Sequence, residues 1–220
     1  MTKVIHYDFQ HEAINPHAFL PTHIRCLILG PANSGKTNLL LNFLCNEGWL
    51  DYDKLYIYSN TLCQPKYQVL QSLFSDIEAC KDVATFHHSQ ADLLPPEALD
   101  PTLRHVMVFD DVLLDKQNII ERYFAHGRHA NTDVFYCSQN YARIPKQVVR
   151  DNANLLILFP QDETNIKHVY GNHVGGDMDF ATFKTICRKC WQPSFSFLTI
   201  DKSRPLTEGR YKRMFSTQVG

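Results

Sequence analysis

The octapeptide Gly30-Pro31-Ala32-Asn33-Ser34-Gly35-Lys36-Thr37 constrains this 220-residue chain more than any other stretch. Its pattern, G-x-x-x-x-G-K-[ST], demands a loop whose glycines let successive backbone N–H groups converge on one phosphate. The flanking residues supply the context that such a loop requires. Upstream, His23 to Gly30 (HIRCLILG) is short, β-rich and apolar on both faces, as a strand buried in a parallel sheet is. Downstream, Leu39, Leu40, Phe43 and Leu44 recur at helical spacing. Strand, glycine loop and helix follow one another, and the helix turns its positive end toward the same anion.

The alternation continues along the chain. Strands are predicted at Lys54–Asn60, Val83–His87, Arg104–Asp111, Asp133–Gln139, Asn154–Phe159 and Ser194–Ile200. Helices are predicted at Tyr67–Phe74, Asn118–Ala125, Pro145–Arg150, Thr164–Gly171 and Met178–Trp191. Strands that alternate with helices and lack period-two polarity indicate a mainly parallel central sheet covered on both faces, a three-layer α/β domain. Its expected span is 23–201, after a polar lead-in at 1–22 with a turn at Asn15 and Pro16, and before a basic tail at 202–220.

Composition narrows the class. With 44% hydrophobic and 20% charged residues the chain has the makings of a globular core, and neither collagen nor coiled coil fits. No run approaches the roughly 18 apolar residues of a membrane span, and the first residues do not read as a signal peptide, so no membrane partner and no secretion are expected. Seven cysteines, several inside apolar runs (Cys26, Cys45, Cys137), suit a reducing compartment without disulfides. Net charge is −1, yet from Ala181 onward eight basic residues face two acidic ones. A basic end on an acidic body can meet nucleic acid, complement a neighbouring subunit's acidic face, or simply be solvated.

The candidate site begins with the loop, Gly30 through Asn38. Lys36 brings a point charge to the β and γ phosphates of ATP, and the Thr37 hydroxyl completes the coordination of Mg2+. The metal needs an acid at the carboxyl end of a neighbouring buried strand, and VMVFDD provides Asp110 for it, holding the ion through water. Asp111 would polarise the attacking water, although an Asp reaches less far than a Glu. Gln139, ending the strand DVFYCSQ, can touch both the γ-phosphate and that water. Arg128, in HGRHANTD, is a candidate for stabilising a neighbour's transferring phosphoryl group, against the alternative of a solvated arginine.

Two weaker constellations remain. His168, His173, Cys187 and Cys190 could hold zinc, or the cysteines could be the buried side of an amphipathic helix. Arg143, Lys146 and Arg150, spaced for one helix face, could contact DNA phosphates or be solvated.

Three blocks together, CLILGPANSGKTNLLLNFL, VMVFDDV and GRHANTDVFYCSQNYARIPKQVVRDNANLLILF, resemble the viral genome-packaging ATPases of the FtsK/HerA superfamily. This is the poxvirus-like type shared by large DNA viruses, virophages and Polinton-like elements. The likeness runs from His23 to Ile200, and the third block is its most specific part. It implies a RecA/FtsK-like P-loop NTPase that forms a homo-oligomeric ring around double-stranded DNA and drives it, without sequence preference, through a capsid vertex inside an infected cell. On this likeness Lys36 and Thr37 match the phosphate loop, Asp110 the metal-binding acid, Gln139 the polar sensor and Arg128 a finger acting in trans. Asp111 departs from the pattern, since the superfamily commonly carries Glu there.

Two other functions stay open on residues alone. A P-loop nucleoside or nucleotide kinase has a similar length and the same loop, but should carry an arginine-dense lid that is not found here. A nucleotide-binding assembly factor without turnover would not need the complete loop and metal residues. A GTPase is disfavoured because no N-K-x-D string occurs; the nearest, Asn165 to His168, reads NIKH.

Overall fold

The computed structural model describes residues 20–76, 82–215 and 217–218; the lead-in at 1–19, with the expected turn at Asn15 and Pro16, lies outside them. Among these residues one sheet is built from β1 (Arg25–Leu29), β2 (Lys54–Ser59), β3 (Ala84–His87), β4 (His105–Asp110), β5 (Thr132–Ser138), β6 (Leu155–Leu158), β7 (Leu198–Asp201), β8 (Tyr211–Arg213) and β9 (Thr217–Gln218). The helices are α1 (Lys36–Cys45), α2 (Pro65–Asp76), α3 (Asn118–His126), α4 (Glu163–Val169) and α5 (Phe180–Cys190). Strand order is β3-β2-β4-β5-β1-β6-β7-β8-β9, parallel from β3 through β6 and antiparallel thereafter.

Each central strand is apolar on both sides because both sides are covered. In β1, Cys26 and Ile28 face the layer of α1 and α2, where they join Leu39, Phe43, Tyr67 and Phe135. Leu27 and Leu29 face the other layer, with Phe124, Val169, Phe183 and Cys187 from α3, α4 and α5. All four strand residues are fully buried, with Leu27, Ile28 and Leu29 each worth roughly 1.5–3 kcal/mol of transfer free energy. Asp162 and Asp179 fix the starts of α4 and α5, their carboxylates accepting from the backbone N–H of Asn165 and Thr182.

Three sequence expectations change. The stretch read as a basic tail supplies β8 and β9, and its arginines are partly engaged: Arg210 holds Asp177 at 2.8 Å and Arg204 holds Asp201 at 3.0 Å. The segment Pro145–Arg150 forms a single π turn over Lys146–Arg150, closed by the Arg150 N–H donating to the Pro145 carbonyl. That wider turn rotates Arg150 inward, 8% exposed, with its guanidinium 5.0 Å from the Tyr141 ring centroid, while Arg143 and Lys146 stay exposed. The three do not share one face. Finally, the last predicted strand starts later, at Leu198, because Pro193 to Ser196 form a turn.

No helix among the described residues is long and apolar enough to cross a membrane.

Candidate nucleotide site

Parallel pairing brings the carboxyl ends of β1, β4 and β5 to one edge. Asp110 is level with Cys137, Leu29 is level with Ser138, and the Gly30 N–H donates to the Ser138 carbonyl at 3.2 Å. The phosphate loop leaves the sheet at this edge. A Cβ at Gly30 would stand 2.5 Å from Ser34 Oγ and 2.7 Å from Phe159 Cβ, so only glycine lets the chain turn there. Gly35, with φ 109°, turns the backbone into α1. Asn33 also adopts a positive φ of 61°, a conformation that asparagine tolerates better than most residues.

A cavity of about 310 Å³ opens at this point. It is lined by Ala32, Asn33, Ser34, Gly35, Lys36, Thr37 and Asn38 from the loop, and by Asp110, Asp111 and Gln139 from the neighbouring strand ends. Gly30 and Pro31 stand behind this lining, their carbonyls accepting from the Lys36 ammonium at 2.6 and 2.8 Å. Burial depresses the proton affinity of Lys36, and the carboxylates of Asp110 and Asp111 oppose that shift. The ammonium and both acids thus share one electrostatic environment.

Asp110 is only 7% exposed, and burial lifts its carboxyl above the usual aspartate range. Its hydrogen bond from the Tyr67 hydroxyl, 2.5 Å, and the Lys36 charge pull in the opposite direction. Asp111 is exposed, with φ 57°, so the chain bends sharply as it leaves β4. Ser34 Oγ and Asn38 Oδ1 are buried without a hydrogen-bond partner. Unpaired polar atoms beside the start of α1 suit a polar ligand with its own donors and acceptors. The hard oxygens of Thr37, Asp110 and Asp111 suit Mg2+ and not a thiophilic metal.

Thr61, Gln64 and Lys66 also line the cavity, and none of them stood out in the sequence; Phe195 lines it too, although the sequence reads it as a core aromatic of the last strand. The first three, with Tyr67, come from the turn after β2 and the start of α2. A parallel strand that neighbours β4 delivers its following turn to the same crevice, which is the one signal that could have pointed to them.

Arg128 is not in this cavity. It lies in a 3₁₀ turn ahead of β5, at the amino edge of the sheet, where its charge adds to burial in depressing the proton affinity of Arg25. The whole of β5 separates it from Gln139, roughly 20 Å at the usual rise per residue. The zinc constellation does not assemble either. Cys187 and Cys190 are buried in the core, the His173 ring nitrogen is 2.6 Å from the Tyr141 hydroxyl, and no group of three or more metal-binding side chains occurs among the described residues.

No protein-family model and no curated protein matches the chain. Solved structures do. The genome-packaging NTPase B204 of Sulfolobus turreted icosahedral virus 2, in complex with AMP, superposes with a TM-score of 0.60 at 14% identity, covering 89% of this chain and 98% of that one. The same protein in complex with ATP-gammaS gives 0.58 at 15% identity, covering 89% and 98%. B204, the DNA-packaging ATPase of Sulfolobus turreted icosahedral virus, gives 0.59 at 16% identity, covering 88% and 97%. The fold is therefore that of a P-loop NTPase, shared over nearly the full length of both chains.

Proposed function

We propose that the chain is an ATPase that moves double-stranded DNA into a preformed capsid, acting as a homo-oligomeric ring. The observation that carries the reading is that the phosphate loop from Ala32 to Asn38 and the buried Asp110 carboxylate open onto one cavity. The shared fold with packaging NTPases supports it.

In this reading the loop N–H groups and Lys36 grip the phosphates of ATP. Thr37 and Asp110 would hold magnesium, which when bound neutralises charge on the transferring phosphoryl group. Tyr67 keeps the Asp110 carboxylate aimed into the cavity and helps it stay ionised despite burial. Asp111 accepts a proton from the attacking water, and Gln139 orients that water from the adjacent strand end. Arg128 cannot reach the phosphates of its own chain, so it serves a neighbour's site, with hydrolysis waiting on assembly. Arg143 and Lys146, exposed beyond the sensor strand, contact DNA phosphates and read no bases.

The test is ATP turnover by protein of known oligomeric state, with Lys36→Ala as the control. Phosphate release that this substitution abolishes supports the reading. Transfer of the phosphoryl group to a nucleoside acceptor would favour a kinase, and binding without turnover an inert assembly factor.

A further inference from the structure

Lys66 is a cation that folding leaves without a counter-charge in the wall of the nucleotide cavity. Among the described residues its ammonium has no hydrogen-bond or ion-pair partner, whereas Lys36 rests on the Gly30 and Pro31 carbonyls and Lys184 on Glu163 at 2.7 Å. It is half-buried, burial lowers its proton affinity, and no carboxylate offsets that shift as Asp110 and Asp111 do for Lys36. A partly desolvated ammonium with no protein anion beside it calls for an anion from outside.

Two helices fix where that anion lies. α1 and α2 each follow a parallel strand and run back from the same edge of the sheet. Lys66, Val69, Leu70 and Leu73 recur at three, four and seven residues, one face of α2, and with Leu41, Asn42 and Cys45 of α1 they line an apolar groove between the two helices. Lys66 lines the nucleotide cavity as well, so its stem lies along the groove and its charged end emerges in the cavity. One turn toward the loop from Leu41 and Asn42 stand Thr37 and Asn38, both in the cavity wall. The next residue of α2, Tyr67, donates to Asp110 at 2.5 Å. Lys66 is thereby held on the flank where Thr37 and Asp110 would hold magnesium, and that ion bridges the β and γ phosphates.

We infer that Lys66 is a second cation on the γ-phosphate, supplied by the same subunit as the phosphate loop, an assignment that rests on the phosphate-loop reading above. In hydrolysis the water oxygen bonds to the γ-phosphorus, the bond from that phosphorus to the β,γ-bridging oxygen breaks with its electron pair leaving on ADP, and a water proton passes to Asp111. Lys66 exchanges neither proton nor electrons. It offers fixed positive charge to the phosphoryl oxygens from the side of α2, while Lys36 works from the loop.

The test measures kcat and the affinities for ADP and the non-hydrolysable analogue AMPPCP, each with magnesium, in the wild-type oligomer and in Lys66→Ala, Lys66→Met and Lys66→Arg. Methionine keeps an apolar stem over the groove and removes only the charge, which guards against a disturbed α2. Alanine and methionine should each lower kcat about 100-fold and weaken AMPPCP about tenfold, with ADP unchanged within about twofold and arginine restoring part of the loss. Mixed oligomers of Lys66→Met and Lys36→Ala should recover nothing beyond what the methionine variant retains, because no site then holds both lysines. Wild-type turnover in Lys66→Met, an equal loss for ADP and AMPPCP, or recovery in the mixture overturns the assignment while the phosphate loop stands. Wild-type protein that binds neither nucleotide overturns the phosphate-loop reading, and this assignment with it.

Discussion

The Tyr67 hydroxyl donates a 2.5 Å hydrogen bond to the Asp110 carboxylate across 43 positions of sequence. That bond joins α2 to the end of β4 and counters the effect of burial on the acid. Removing it in Tyr67→Phe should raise the proton affinity of Asp110 further. Turnover should fall roughly 10-fold to 100-fold, as when partners of metal ligands are lost. The acid limb of the pH profile of kcat/KM should move to higher pH, because Asp110 must be ionised to act. An unmoved limb would show that Tyr67 only packs.

Asp133 sits at the other end of the strands, accepting from the Ile24 N–H at 2.6 Å, and burial raises its carboxyl to about 6. The folded state therefore binds this proton more tightly than the unfolded chain, whose carboxyl has an ordinary value near 3.8. Its stabilising contribution is complete below the unfolded value and is lost as pH rises through about 6. Asp133→Asn keeps an acceptor for Ile24 and removes the charge. It should gain up to about 2–3 kcal/mol over wild type at neutral pH, shrinking toward zero near pH 4, by urea unfolding. An equal difference at both pH values contradicts this account.

Arg128→Ala should leave ATP binding nearly intact and lower turnover by roughly 10³-fold. Mixing it with Lys36→Ala should restore part of the activity, since an intact finger on one subunit then meets an intact loop on the next. Mixed oligomers that recover nothing would show that Arg128 does not act in trans.

Arg150 and Lys146 should separate cleanly. Arg150, buried over Tyr141, should on substitution by alanine lower the thermal midpoint. Lys146→Ala should leave stability unchanged, weaken DNA binding alike for all sequences and reduce its salt slope by about 1. A Lys146 variant that binds DNA as wild type does would remove that contact from the account.

The sequence made the sheet legible because both faces are covered: strands such as LLIL and VMVF show unbroken apolar runs. It made the loop and Asp110 legible because the spacing of G-x-x-x-x-G-K-T is set by phosphate geometry and Asp110 by its strand end. Tyr67, Lys66 and Phe195 carry no local spacing signal, since what brings them together is the order of β2, β4, β1, β6 and β7 in the sheet. Arg150 misled for a different reason. A spacing of four and seven places it with Lys146 and Arg143 only if the turn is α-helical, and here it is a π turn. The C-terminal basic residues misled because charge count hides pairing: Arg204 and Arg210 hold Asp201 and Asp177.

The most direct measurement is the rate of ATP hydrolysis by the assembled oligomer with and without double-stranded DNA. The account predicts turnover that rises when a duplex of arbitrary sequence is added and vanishes in Lys36→Ala. Turnover indifferent to DNA in a well-formed oligomer, or none at all, would contradict it.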